Sequence, residues 1–463
     1  MGEFLRNPID GGGRQFVAER FIRPIQAFAA VEASGGIVLL AGAIVALIWA
    51  NSPWQDQYFE FWNTELAIDL HLFSIEHSLG HAVNDGLMAI FFFVVGMEIK
   101  RELVHGELAS PRKASLPVAA ALGGMIVPAL IFTFWNFGGD GARGWGIPMA
   151  TDIAFAVGVL SVLGKRVPFP LKVFLLALAV ADDLGAIVVI AVFYTDQIAI
   201  EPALWAIGLL VAIIATNRAG VRSTQIYIAL GICFWAAVLK SGIHATVAGV
   251  VLAMLTPSKP YYEEGEFEES APELLRRFRE ARESGDHERA EQTLAQLETL
   301  TRGTESPLDR LEHGLAPWSS YVIVPIFALA NAGVALSGDM VSNAVSSPVT
   351  LGVAMGLVVG KPIGVLLAAW LAVRFGLAQF PRGVNLHHMI GVGLLAGIGF
   401  TVSLFVTGLA FTDPLLIDEG KVGILAASAV AGVIGFTYLW FAPKNGYSDA
   451  EHDLEDAAAA LRV

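Results

Sequence analysis

The stretch LKVFLLALAVADDLGAIVVIAVFYT, residues 171–195, carries two adjacent aspartates, Asp182 and Asp183, and the nearest charges flanking them are Lys172 and Asp196. An apolar run of this length reads as a transmembrane helix. Each carboxylate at mid-bilayer costs on the order of 2.5–3.5 kcal/mol on insertion scales, so two side by side mark a functional site, most often one that handles ions or protons.

Composition places the rest of the chain in the same class. A hydrophobic fraction of 55% and a charged fraction of 16% over 463 residues, with a mean hydropathy of +0.61, describe a multi-pass membrane protein and exclude an ordinary soluble enzyme. The net charge of −14 resides largely in residues 263–305 and in the tail after Ser448, so it gives no reason to expect nucleic acid. With Cys233 as the single cysteine, neither a disulfide framework nor a cysteine metal site forms within one chain. No cleavable signal is evident, because the residues through Arg23 are polar and the first apolar run reads as a retained helix.

Twelve apolar stretches are long enough to span, at about 33–50, 80–99, 114–135, 146–163, 169–194, 201–217, 224–239, 242–256, 314–337, 349–373, 386–411 and 420–441. The fourth and eighth are short. Lys and Arg fall on alternate connections, including Lys100, Arg101, Arg112, Lys113, Lys165, Arg166, Arg218, Arg222, Arg374 and Arg382, while residues 51–80 have none. By the positive-inside rule both termini are cytoplasmic. The organisation expected is a cytoplasmic segment 1–32, helices 1–8 over 33–256, a charged cytoplasmic loop 257–309, helices 9–12 over 310–442 and a cytoplasmic tail 443–463. Within the loop, Ser270 to Glu273 resembles a capping box with Pro272 in the first turn, which predicts a peripheral helical hairpin starting there. On the opposite side, Leu66, Ile68, Leu70 and Leu72 alternate within residues 63–76, predicting a small β-hairpin whose edge can pair with a second copy to make a homodimer.

Four charges lie at membrane depth: Asp152, Asp182, Asp183 and Lys361. Lys361 sits too far from either end of its span to snorkel comfortably, so it pairs with an acid or lines a wet cavity. Successive helical positions differ by about 100°, so one of Asp182 and Asp183 can meet Lys361 while the other faces a cavity. Asp152 lies in GIPMATDIAFAVG with Pro148 four residues before it, which reads as an interrupted helix. The eleventh stretch has a counterpart in GVGLLAGIGFTVS, where Gly391, Gly393, Gly397 and Gly399 weaken the helix. Paired interrupted helices in two halves of a transporter point to the substrate site. Half-helix ends leave partial charges in the membrane, and Asp152 could neutralise the N-terminal ends and Lys361 the C-terminal ones. A hard monovalent cation takes oxygen ligands, which Asp183, Asp182, Thr151 and unwound carbonyls would supply. A desolvated carboxylate gains from neutralisation by either a proton or a cation, and competition between them is the minimum needed for exchange.

The segments ATDIAFAVGVL (150–160), 171–195, LKSGIHATVAGV (239–250), IFALANAGV (326–334), GKPIG (360–364), GIGFTVS (397–403) and NDGLMAIFFFVVGMEIKREL (84–103) resemble the NhaA family of sodium/proton antiporters, in the family's order, over residues 30–256 and 306–440. The rule about inverted repeats and broken helices was itself drawn in part from NhaA proteins. The resemblance implies an all-α membrane protein of about 12 transmembrane helices with inverted-topology repeats, two interrupted helices crossing at mid-membrane and a bacterial inner-membrane location. It implies electrogenic exchange of sodium, and lithium, for protons by alternating access. Asp183 would be the main ion-binding carboxylate, Asp182 its partner exchanging a salt bridge with Lys361, and Asp152 with Thr151 would sit at the crossing. Asp85, Glu98, Glu102, His244, Glu312 and His313 match positions tied to pH response. Where the family has a second histidine three residues after the first, this chain has Ala316. No cofactor is expected.

Other readings fare worse. An intramembrane aspartyl protease using Asp152 and Asp182 needs two acids sharing a proton, and Lys361 argues against it. A passive cation channel fits two separated broken helices less well than a rocking site does. His77 and His81 have zinc-helix spacing but lack the intervening glutamate, His387 and His388 stand at the start of a span, and the absence of a Walker loop leaves an ion gradient as the energy source.

Overall fold

The structure, a computed structural model, describes residues 33–443 apart from 70–73, 196–197, 222–223, 263 and 382. The expected segment 1–32, and all of the expected tail 443–463 but Pro443, lie outside the described residues. The first helix, α1 (Ala33–Ala50), is followed by α2 (Gln55–Asn63), which turns away from it by 116° and so does not prolong the span. Strands β1 (Glu65–Asp69) and β2 (Ser74–Ser78) pair antiparallel with Glu65 opposite Ser78. The period-two reading of a hairpin is met, with its second strand running two residues past Glu76; Leu70 and Leu72 fall outside the described residues.

The chain then builds α3 (Leu79–Val104) and α4 (Pro111–Asn136). Next comes a 3₁₀ segment, Asp140–Met149, and α5 (Ile153–Leu163), followed by α6 (Phe169–Phe193), α7 (Ile200–Arg218), α8 (Thr224–Lys240) and α9 (Ala245–Leu255). Beyond these, α10 (Glu264–Glu283) and α11 (His287–Thr304) form the charged hairpin. The last group is α12 (Pro307–Asn331), α13 (Gly338–Ser346), α14 (Pro348–Arg374), the bent pair α15 (Leu386–Ala396) and α16 (Phe400–Ala410), and α17 (Pro414–Phe441). Every apolar stretch read from the sequence falls on one of these helices or pairs. Among the described residues, eight helices are long and apolar enough to cross a membrane, or ten when each bent pair is one span. The chain is an all-helical membrane protein with bent and broken helices.

Two differences from the sequence reading, and one feature it anticipated, have physical causes. The fourth stretch begins at Asp140, not at 146, because Asp140 and Arg143 lie at its outer end while Gly144, Gly146, Ile147 and Pro148 are buried. The eighth is short because Gly242, at φ +83°, breaks the chain before α9, whose 11 residues reach only about 16 Å. Helix α10 starts at Glu264, so Ser270 is inside it and Pro272 is an interior proline, tolerated on an exposed helix backed by its partner α11.

Packing separates a panel from a bundle. Helices α7 and α8 pair with each other, and α9 packs on α3. Only 11% of the apolar window of α7 is buried, and Leu204, Trp205, Ile207 and Val211 are exposed, which is how a lipid-facing helix looks. In the bundle α4 crosses α14 so closely that a Cβ on Gly123 would run into the Gly364 carbonyl, and one on Gly364 into that of Gly123. Small residues at such crossings let backbones touch. Gly124 leaves room beside the stem of Lys361, and a π-helical turn, Gly356–Gly360, ends at that lysine. Two more π-turns interrupt α3 at Val83–Leu87 and α12 at Ser319–Ile323. Such turns cluster at functional sites.

Candidate ion-binding site

The two broken elements meet at their interruptions. Residues 150–152 are non-helical, with Ala150 and Asp152 extended, and the amide of Asp152 donates to the Ile398 carbonyl at 2.6 Å, while the Thr151 hydroxyl donates to the Ala396 carbonyl at 3.0 Å. Asp152 is the N-cap of α5, its Oδ1 accepting from the Phe155 amide at 3.0 Å. Its Oδ2 accepts from both the amide of Thr401 at 3.0 Å and its hydroxyl at 2.7 Å. One buried carboxylate therefore serves the N-terminal ends of two half-helices, where the helix dipole favours negative charge.

Lys361 and Asp182 are fully buried and form an ion pair at 2.6 Å. The ammonium also donates to the Met149 carbonyl, the last residue of the 3₁₀ segment, where carbonyls lack helical partners. Asp183, next to Asp182 on α6, is 3% exposed. Neither Oδ1 of Asp182 nor Oδ1 of Asp183 has a hydrogen-bond partner. The charges that act on Asp183 are those of Asp182, Glu98, Asp152 and Lys361. Four acids and one base thus act on one another in a buried site, and the Oδ1 oxygens of Asp182 and Asp183 have no hydrogen-bond partner in it. That is an arrangement a cation or a proton would relieve.

The residues that the resemblance associates with pH response do not form one cluster. Glu98, Glu102 and Glu312 gather near the C-terminal end of α3 around Arg101, which pairs with Glu312; Glu102 accepts from the Glu107 amide at 3.0 Å. His313 is exposed and stands 3.3 Å from Glu305. His244 caps the start of α9 and contacts the Tyr194 carbonyl at 2.6 Å. Asp85 lies in the π-turn of α3, its carbonyl accepting from the Trp235 indole at 3.1 Å. The sequence reading missed Thr401 and the pairing of Arg101 with Glu312. The signal for Thr401 was present, since it follows the glycine break by two residues, in the first turn of a half-helix.

A family described as "Na+/H+ antiporter 1" matches residues 26–439. The chain is 49% identical over 420 residues to "Na(+)/H(+) antiporter NhaA 2" of Syntrophotalea carbinolica, covering 90% of this chain and 96% of that one. It is 47% identical to the NhaA of Oleidesulfovibrio alaskensis, covering 90% and 94%, and 46% identical to that of Rhodopirellula baltica, covering 92% and 96%. Matches of this length leave no part of the membrane core unaccounted for, and the chain belongs to the NhaA family of Na+/H+ antiporters, a family of transporters rather than enzymes.

Proposed function

We propose that this protein exchanges sodium, and lithium, for protons across the bacterial inner membrane, with cation and proton competing for Asp182 and Asp183. The observation that carries the reading is the pair of adjacent buried carboxylates whose Oδ1 oxygens accept no hydrogen bond. Asp183 is the principal ligand, because Asp182 already has Lys361. Thr151 and Asp152 hold the crossing beside it, and alternating access moves the bundle against the panel. Family resemblance adds an electrogenic cycle.

The topology proposed with this function has twelve spans, both termini cytoplasmic, and inverted repeats centred on the broken elements. Each is flanked by two long helices, α4 and α6 in one case and α14 and α17 in the other. Glu98, Glu102 and Glu312 tune the response to pH from the cytoplasmic end; Asp85, His244 and His313 would act from separate places. The β-hairpin joins two copies as a dimer. Replacing residues 66–72 with a flexible loop should weaken that dimer in native mass spectrometry, and dimers of undiminished strength would remove the hairpin from the interface.

One assay tests the central reading. In proteoliposomes with a pH gradient, sodium should trigger its collapse in the wild type and not in folded Asp183→Asn. Uptake of any monovalent cation with the pH gradient left standing would make the protein a channel. In detergent, weakly buffered solution, sodium should also release protons, because binding to ionised carboxylates must expel the protons they hold. Sodium binding with no release at any pH between about 5 and 9 would refute direct competition.

A further inference from the structure

Lys361 has an acid to pair with; Lys421, two turns into α17, does not. Among the described residues its ammonium makes no hydrogen bond and no ion pair. The charge that acts on it is that of Asp418, three residues back on the same helix. Lys421 lines a cavity of about 210 Å³ with Tyr58, Trp62, Ser78, Asn84 and Ala330, among others. These residues come from α2, the end of β2, the start of α3 and the end of α12, at the end of the molecule opposite Arg101. Among the described residues no carboxylate lines the cavity.

Its donors and acceptors do not balance. Trp62 is 9% exposed, and its indole N–H is buried with no hydrogen-bond partner. The Asn84 side-chain amide reaches Asn331 only at 3.4 Å. Three acceptors at the wall, by contrast, are taken. The Oδ1 of Asn84 accepts from Asn331 at 2.8 Å, the Ser78 hydroxyl oxygen from the His81 amide at 3.3 Å, and the Ala330 carbonyl from the Tyr58 hydroxyl at 3.2 Å. An indole N–H and an ammonium can only donate. A buried donor without a partner calls for a water or an ion. Water would meet the Trp62 N–H, but its own two hydrogens need acceptors, and those named are engaged. A species that only accepts, and carries the charge that Lys421 lacks, fits better.

We propose that this cavity binds a small monovalent anion of the chloride class, with the Lys421 ammonium supplying the charge and the Trp62 indole and Asn84 amide supplying N–H donors. The volume is several times the ~30 Å³ share of one water molecule, so the anion enters with part of its hydration and leaves the rest. Charge-assisted hydrogen bonds are the strong ones, which is why one lysine and two neutral donors suffice. Asp418 opposes the anion from the far side of Lys421 and keeps the site weak. Occupancy ties α2 to α17. It also bears on α3, because Asn84 belongs to the π-turn Val83–Leu87. The site does not depend on which cation the acid pair carries, and it stands or falls apart from the exchange reading.

The test is the line width of the chloride nuclear magnetic resonance in solutions of the full chain in detergent, at fixed sodium, with gluconate replacing chloride in steps. The wild type should broaden the line in a saturable way, and excess bromide should remove the broadening. Trp62→Phe, which keeps the ring and loses the N–H, and Lys421→Gln should each weaken chloride by about tenfold or more, the effect of losing one charge-assisted hydrogen bond. Asp418→Asn should act in the opposite direction and tighten it. A wild type without bromide-displaceable broadening would overturn the site, as would broadening of equal affinity in Trp62→Phe and Lys421→Gln. Should Lys421→Gln fail to fold, the opposite signs expected of Trp62→Phe and Asp418→Asn decide the matter, and equal signs would overturn it. Broadening that added phosphatidylglycerol abolishes in the wild type would give the cavity to a lipid phosphate and overturn the free anion. The line width needs no transport, so a bromide-displaceable signal in protein that moves no protons with sodium would sink the exchange reading and leave the anion site standing.

Discussion

The two interrupted elements, 140–163 and 386–410, meet at one crossing but are built from opposite materials. The first breaks at Pro148 and the non-helical residues 150–152, and it carries the charge: Asp152 caps its own helix and Lys361 attends its Met149 carbonyl. The second breaks at Gly397–Gly399 with a bend of 41° and has no ionisable side chain at its break. It takes its neutralisation from the first. The Ala396 carbonyl receives the Thr151 hydroxyl, the Ile398 carbonyl receives the Asp152 amide, and Thr401 donates to the Asp152 carboxylate. A charged break next to a glycine break lets one carboxylate serve two half-helices, leaving Asp182 and Asp183 free of that task.

If this asymmetry holds, the largest damage comes from Asp152→Ala. It strands the Phe155 and Thr401 amides, and a buried donor left unsatisfied costs about 1–3 kcal/mol. Thermal stability in detergent should fall by several degrees and sodium-dependent proton movement should be lost. A variant that melts with the wild type would mean that water, not Asp152, can serve both ends. A smaller loss follows from Gly397→Ala. Its Cβ would sit 2.5 Å from the Leu357 carbonyl oxygen, a backbone atom of the π-turn next to Lys361. Overpacking of this kind costs about 1–3 kcal/mol, and here it should also slow exchange by shifting Lys361. Equal effects from alanine at the exposed Gly408, where a Cβ meets nothing within 4 Å, would show that the break is not the sensitive point.

How much of this was legible in the sequence follows the same divide. Asp182, Asp183 and Lys361 were readable because a charge in an apolar run violates its surroundings, and the glycine density announced the second break. Which aspartate Lys361 chooses came from the family resemblance, as Asp182, and not from the residues alone, since the helix rotation that decides it is a matter of tertiary packing. Thr401 was missed because its partner is 249 residues away and a threonine in a helix violates nothing. The 3₁₀ start at Asp140 was hidden by its polar residues, and the π-turns leave no periodic signature shorter than the helices that contain them.

Thr401→Val sharpens the comparison at a lower level. It removes the 2.7 Å hydroxyl bond to Asp152 and keeps the amide bond. Hydrogen bonds of this kind in membrane proteins average about 0.6 kcal/mol and reach about 1.7, so stability should change little. The apparent KM for sodium should rise, because Asp152 loses one of the two contacts that fix its Oδ2 beside the site. An unchanged KM with an altered melting temperature would reduce Thr401 to a structural role.

The smallest effect is expected where the membrane core is not involved. The α10–α11 hairpin returns the chain to its starting point: the amides of Tyr261 and Tyr262 both donate to the Gly303 carbonyl, at 2.7 and 3.0 Å. Leu308 donates to Pro257 at 3.1 Å just inside that junction. Removing residues 264–304 therefore leaves two ends already adjacent, and closing so short a gap adds little entropy cost. The hairpin buries Ala281 and Leu300, and its ion pairs, such as Glu273 with Arg276 and Arg277, are exposed and contribute little to stability. Hydrogen bonds from Arg276, then Arg277, hold the Glu273 carboxyl down at about 2. A depressed carboxylate stabilises above its unfolded value and loses that contribution as pH falls toward about 2, so this pair stays intact across the whole range in which exchange can be assayed. Excision should leave exchange rate and pH profile within error of the full chain. A profile displaced along the pH axis in correctly inserted, excised protein would make the hairpin part of the pH response, and would move that response from the glutamates around Arg101 to a segment the membrane core closes without.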